Sequence, residues 1–256
     1  MFLKSNIREG FEGGLSLMEI LIVRHGDPDY EHDSLTEKGK VEAALLAEKL
    51  SKMKINACYC SPLGRAKETA SYTLEKIGQE AEILDWLHEF RGRVDIEGRK
   101  SRSCWDLMPS LWADEPIYYT DEWYKTELMQ KNNVEAEYRK VIEGFEELLT
   151  KHGYQREGKH FKVVEGNHDR IVLFCHYAVG AVLVSYLMGI SPMIFWHYAV
   201  ALTTSVTVFT SEEREKGIAS FRMSAYGDTG HLYAGGEELS FAARFCECFE
   251  DETRHD

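Results

Sequence analysis

With 256 residues, 44% of them hydrophobic and 29% charged, the chain can close one good hydrophobic core, or one core with a sizeable insertion. This ordinary composition excludes a disordered or fibrous protein. A formal net charge of −13 repels phosphodiester backbones and anionic headgroups at long range, so neither nucleic acid nor a membrane is an expected partner.

Residues 1–17 show no sustained period and place Gly10, Gly13 and Gly14 close together, which predicts a disordered extension, with translation expected to begin at Met18. The expected catalytic domain then spans residues 18–240. Its first element is a buried strand over 19–23, in "EILIVRHGDP", which stops abruptly at Arg24, His25 and Gly26. The stretch "LTEKGKVEAALLAEKLSKM" predicts a helix with Thr36 as N-cap and an apolar stripe of Val41, Ala44, Leu45 and Leu50. Next, "NACYCSPLGRAKETASYTLEKI" predicts a strand over 57–60, a Ser-Pro break and a helix from about Gly64.

A short strand in "AEILDWL" leads to His88 and Glu89, after which alternation dissolves. Residues 95–125 are rich in Trp, Tyr and acidic groups, are broken by Pro109 and Pro116, and read as an excursion within an insertion over 95–165. A helix is predicted from about 134 to 152. The nearly uncharged run 171–190 is long enough to suggest a membrane span. Its β-branched start and internal His176 instead predict a buried strand over 171–175 feeding a buried helix. "TSVTVFTSE" and "IASFRMSAYG" predict two further strands, and residues 241–256 a helical end with an acidic tail. Strands alternating with helices indicate an α/β class, a three-layer α/β/α sandwich with a mainly parallel central sheet.

Six cysteines, at 58, 60, 104, 175, 246 and 248, accompany no recognisable secretory signal, which points to a reducing cytoplasm. Cys58 and Cys60 share one strand face and read as core rather than as a metal site. No cluster has metal-ligand spacing, so no metal or other cofactor is expected.

Three predicted strands end beside basic groups: Arg24 and His25, Arg65, and His176. In a parallel sheet such ends lie along one edge, where open α/β folds bind ligands. Two arginines there can fork onto phosphoryl oxygens while helix N-termini add amide donors. A neutral His25 imidazole, kept unprotonated by neighbouring guanidinium charges, is a good nucleophile toward phosphorus. Glu89 is placed to give the leaving oxygen its proton.

The ordered motifs "LIVRHG", "LTEKG", "SPLGRAKETA", "LHEF" and "FCHYA" resemble the histidine phosphatase superfamily, the phosphoglycerate-mutase-like proteins, over roughly residues 18–235. The resemblance implies a phosphoglycerate-mutase-like fold with an inserted helical and aromatic cap, and metal-independent chemistry. It assigns His25 as the phosphorylated nucleophile, Arg24 and Arg65 as phosphoryl ligands, His176 as a stabiliser of the transferring group and Glu89 as general acid, then base. The implied activity is a phosphomonoesterase acting on a small phosphorylated metabolite or binding inorganic phosphate. The alternatives are a phosphoglycerate-type mutase and a non-catalytic phospholigand-binding protein. Mutases carry a longer segment after Arg-His-Gly, with an Asn and a Gly-Trp element, where this chain has only "DPDYEHDS".

Many relatives have Gly where Tyr177 stands; its amide is expected at the phosphate, and its phenol adds bulk. His231, in "GDTGHL", reads as structural, and His32, His88, His168 and His197 as surface or core. Two uses are open to Trp105, Trp112, Tyr118, Tyr119, Trp123 and Tyr124: a lid over the substrate, or packing of the insertion against the sheet. Arg91, Arg93, Arg99 and Arg102 either meet an anionic tail or are solvated. No sequence feature sets the substrate or the oligomeric state.

Overall fold

The computed structural model describes residues 17–96, 98–240 and 247–250. The expected extension, apart from Leu17, and the expected C-terminal helix and tail, apart from 247–250, lie outside the described residues, as does the Arg99 side chain. Residues 247–250 are not helical.

Strand β1 (Glu19–Arg24) is buried from Ile20 onward, and Arg24 is its last residue rather than the first residue after it. Two short strands, β2 (Pro28–Asp29) and β3 (Ser34–Leu35), pair antiparallel before helix α1 (Glu37–Leu50). Thr36 caps that helix as expected, its hydroxyl accepting the Gly39 amide. The buried face of α1 is set differently from the expected stripe: Gly39, Glu42, Ala43, Leu46, Ala47 and Leu50 point inward, while Val41 and Ala44 are exposed and Leu45 is half-buried. The cause is Glu42, whose buried carboxylate accepts the Asp27 amide (2.8 Å) and the Thr203 hydroxyl (2.9 Å). Those two bonds fix the helix rotation that apolar spacing alone leaves open.

Strand β4 (Ala57–Cys60), helix α2 (Gly64–Ile77) and strand β5 (Ala81–Ile83) follow in the expected order. The excursion opens with a hairpin, β6 (Arg93–Ile96) and β7 (Arg99–Ser103), and continues through single helical turns to α3 (Glu127–Gln130) and the long α4 (Val134–Lys151). Then come β8 (Tyr154–Glu157), β9 (His160–Val163), β10 (Arg170–Cys175), α5 (Tyr177–Met188), α6 (Pro192–Tyr198), β11 (Val206–Glu215), β12 (Ile218–Asp228) and α7 (Gly230–Gly235).

Eight strands form one sheet in the order β5-β4-β10-β1-β11-β12-β9-β8. The strands β5, β4, β10 and β1 run parallel, and β11 onward extends the sheet antiparallel. Strand alternation divides the core in two. Leu21, Val23, Cys58, Cys60, Val172 and Phe174 pack against α1 and α2, whereas Ile20, Ile22, Tyr59, Ile171 and Leu173 pack against α4, α5 and the excursion. The result is the expected α/β architecture with helices on both faces. The run 171–190 is divided between β10 and α5, and among the described residues no helix is long and apolar enough to cross a membrane.

The β8–β9 hairpin has no counterpart in the sequence expectation. Its strands, "YQRE" and "HFKV", bury only Tyr154 and Phe161, too little alternation to show through a charged background. In the excursion, Trp112, Tyr118 and Trp123 are almost wholly buried in the main core, with Trp123 edge-to-face on Trp196 at 5.2 Å. Packing against the body of the fold describes these three.

Candidate active site

The register of the sheet brings the predicted residues together. Arg24 of β1 lies beside Cys175 of β10, and Phe174 of β10 beside Cys60 of β4, so the three C-terminal ends form one edge. His25 continues from β1 with its amide on the Cys175 carbonyl (3.0 Å). His176 caps α5, and Arg65 enters from the first turn of α2. Gly26 has a packing reason of its own. A Cβ there would stand 2.8 Å from the Gly39 carbonyl oxygen, so the turn after His25 packs directly on the first turn of α1.

His25 is 2% exposed, and its Nδ1 lies 2.7 Å from the Gly26 carbonyl oxygen. A carbonyl only accepts, so Nδ1 carries the proton and Nε2 keeps a lone pair. Burial, with Arg24 and Arg65 nearby, holds the imidazole pKa well below its ordinary 6.5, although the Gly26 bond works the other way. His176 lies with its ring centroid 5.0 Å from that of His25 and its Nε2 2.7 Å from Ser61 Oγ. Burial again dominates in pushing its pKa well down, with His25, Arg65 and Arg24 adding to the effect.

Arg24 donates to the Ala201 carbonyl (2.7 Å) and faces the Tyr177 ring at 5.5 Å. Burial lowers its pKa from the ordinary arginine range, with Tyr30, Glu89, Tyr177 and Glu42 opposing. Arg65 pairs with Asp33 at 2.6 Å and faces the Tyr30 ring at 5.4 Å. Two buried polar atoms of this cluster, Arg65 Nε and His176 Nδ1, have no hydrogen-bond partner. Such orphans are uncommon in folded proteins, and a group of them beside two guanidinium ions suits an oxyanion.

Glu89 stands at the same edge. Its Oε1 accepts the amides of Phe90 (2.8 Å), Ala178 (3.0 Å) and Val179 (3.1 Å), so the first turn of α5 anchors the carboxylate and leaves Oε2 for a ligand. The Tyr177 phenol turns elsewhere: its hydroxyl sits among the carbonyl oxygens of Phe195 (3.1 Å), Trp196 (2.7 Å) and Ala199 (2.9 Å). The tyrosine ties α5 to the end of α6, and its bulk forms a wall behind Arg24.

Sequence reasoning missed Asp33, Ser61, Glu42 and the Ala201 carbonyl. Ser61 belongs to the Ser-Pro break and Asp33 immediately precedes "SLT", but neither residue type marks a role at that spacing. Arg93 bonds Ser103 (2.8 Å) and Arg102 pairs with Asp106 (3.1 Å), while Arg91 is exposed. His231 is buried against Thr204 (3.0 Å), His197 bonds the Leu107 amide (3.1 Å), His88 is buried and His32 exposed. Among the described residues no group of three or more His, Cys, Asp or Glu side chains is arranged to hold a metal ion.

Known proteins similar in sequence and fold point to one family. The chain is 22% identical over 223 residues to phosphoserine phosphatase 1 of Hydrogenobacter thermophilus, covering 82% of this chain and 94% of that one. The fold resembles phosphoserine phosphatase of Entamoeba histolytica, solved with 3-phosphoglyceric acid (TM-score 0.55, 17% identity, 84% and 99% of the two chains). It also resembles phosphoglycerate mutase of Bacillus anthracis (TM-score 0.57, 16% identity, 86% and 97%). The family model of the histidine phosphatase superfamily (branch 1) matches residues 20–223, so the chain belongs to that superfamily and is a phosphatase of the hydrolase class.

Proposed function

We propose that the protein is a metal-independent phosphomonoesterase for a small phosphorylated metabolite, working through a phosphohistidine on His25. The observation that carries this reading is the Nδ1 bond to the Gly26 carbonyl, which leaves Nε2 unprotonated beside two guanidinium groups. Nε2 gives its lone pair to phosphorus as the bond to the ester oxygen breaks; that oxygen keeps the electron pair and takes the Glu89 proton. Arg24, Arg65 and His176 hold the non-bridging oxygens as charge moves onto them. A water then attacks phosphorus, the P–N pair returns to Nε2, and the Glu89 carboxylate accepts the water's proton. The name of the Hydrogenobacter relative and the ligand of the Entamoeba structure support a substrate of small phosphomonoester type.

The experiment is phosphate release from a panel of phosphomonoesters without added metal, comparing the protein with His25→Ala. Release that disappears in the variant supports the reading. Isomer exchange dependent on a bisphosphate primer, with little release, places the mutase alternative ahead of it.

A further inference from the structure

Ser61 is wholly buried where β4 ends, and its amide donates to the Phe174 carbonyl (2.9 Å), carrying the ladder to β10 one residue past Cys60. Pro62 follows and has no N–H to offer. The next amide, that of Leu63, donates to Ser61 Oγ (3.2 Å) and closes a local turn on the side chain. The same oxygen lies 2.7 Å from His176 Nε2.

A hydroxyl has one proton to give. Among the described residues Ser61 Oγ meets the Leu63 amide, which only donates, and His176 Nε2. The Nε2 lone pair is therefore the acceptor for the Ser61 proton. A His176 protonated on Nε2, neutral or cationic, would leave that proton buried without an acceptor, which folded proteins avoid. The imidazole is thus neutral with its proton on Nδ1, in keeping with the burial that pushes its pKa well down.

His25 is arranged the other way about. Its Nδ1 proton is spent on the Gly26 carbonyl and its Nε2 lone pair remains. In His176 the Nε2 lone pair is spent on Ser61, and the buried Nδ1 has no hydrogen-bond partner. Two neutral rings with centroids 5.0 Å apart so keep opposite capacities, one a lone pair and the other a donor.

Resting on the reading of His176 as the group that stabilises the transferring phosphoryl oxygens, we infer that Ser61 is a positioning residue that holds His176 as its Nδ1–H tautomer, so that a neutral N–H donor meets the phosphoryl group. A donor of fixed tautomer gains strength as negative charge grows on the oxygen, and no proton leaves His176. Two guanidinium ions then supply the positive charge of the cradle, and His176 adds a hydrogen bond.

The test labels histidine with the NMR-active nitrogen isotope, whose shift separates a protonated ring nitrogen from one with a lone pair; His176→Gln assigns the His176 signals. At neutral pH the wild-type protein should show a protonated Nδ1 and an unprotonated Nε2 on His176, and inorganic phosphate should move the Nδ1 signal. In Ser61→Ala the two tautomers should mix, and kcat on an alkyl phosphate should fall about tenfold with KM held within about threefold. Ser61→Cys, which keeps a weaker donor at the same place, should fall between. If the alanine variant does not fold, the wild-type spectrum decides alone. A protonated Nε2 in the wild type, an unchanged tautomer in Ser61→Ala, or phosphate that binds by calorimetry without moving Nδ1 overturns the inference. Absence of both phosphate binding and phosphate release refutes the reading of the site, and the tautomer of the free protein still decides the role of Ser61.

Discussion

Asp33 holds the first turn of α2 at two points: its Oδ1 accepts from Arg65 Nη1 at 2.6 Å, and its Oδ2 accepts the Gly64 amide at 2.6 Å. One carboxylate so fixes both the start of α2 and the direction of its guanidinium. Asp33 adopts φ +48°, a left-handed conformation that costs a non-glycine residue free energy and is held here by its surroundings. Asp33→Ala should raise KM for phosphate esters and weaken inhibition by inorganic phosphate by about tenfold, with a smaller change in kcat. Asp33→Asn, which keeps an acceptor for one of the two donors, should fall between. Steady-state kinetics that leave KM unmoved would show that Arg65 is oriented without Asp33.

Arg65→Lys should lose about a hundredfold or more in kcat/KM, because an ammonium cannot bond Asp33 and fork onto an oxyanion at once. Activity within a few fold of wild type would remove Arg65 from the phosphoryl site.

For Glu89 the informative variable is the leaving group. Glu89→Gln should still form phosphoenzyme from an activated aryl phosphate, whose leaving oxygen needs no proton, yet lose about 10²–10⁴-fold on an alkyl phosphate. Equal losses on both esters would assign Glu89 to anchoring α5 rather than to proton transfer.

Four histidines, His25, His176 and His231 buried and His197 half-buried, give the fold an acid dependence of definite sign. His25 and His176 lie well below the ordinary 6.5, and burial lowers His197 and His231 to about 4. Near pH 6 the unfolded chain binds protons that the folded chain refuses, so stability should decline as pH falls from about 6.5 toward 4. Glu42, whose pKa burial raises, opposes the trend. Urea unfolding at pH 7.5, 6 and 5 measures the slope, which His231→Asn should reduce by about one proton. Stability that rises on acidification would contradict this.

The residues of the candidate site were the most legible part of the sequence. Arg24, His25, Arg65 and His176 sit where apolar strands stop, and a parallel sheet brings such stops together whatever their separation in the chain. The partners that hold them were not legible. Asp33, Ser61 and Glu42 are common residue types, and their roles follow from contacts 32, 115 and 161 positions away that no local period announces. Glu42 shows the limit best, since apolar spacing on α1 suggested a face through Val41 and Ala44, whereas a buried carboxylate determines the one that packs.

That carboxylate yields a stability prediction. Glu42→Ala leaves the Asp27 amide and the Thr203 hydroxyl without their acceptor and should cost about 2–4 kcal/mol in chemical denaturation. Glu42→Gln, which retains one acceptor oxygen, should cost less. A loss below about 0.5 kcal/mol for the alanine variant would mean that neighbouring groups or water take over both donors.

The candidate site hangs on β4, β10 and β1, three adjacent strands in the parallel half of the sheet, whereas residues 105–113 of the excursion lie outside any strand. Segments of the second kind exchange their amides and accept substitutions more readily than central strands do. Over evolutionary time the two can change at separate rates, the peripheral loops being rewritten while the cluster at the strand ends is inherited intact.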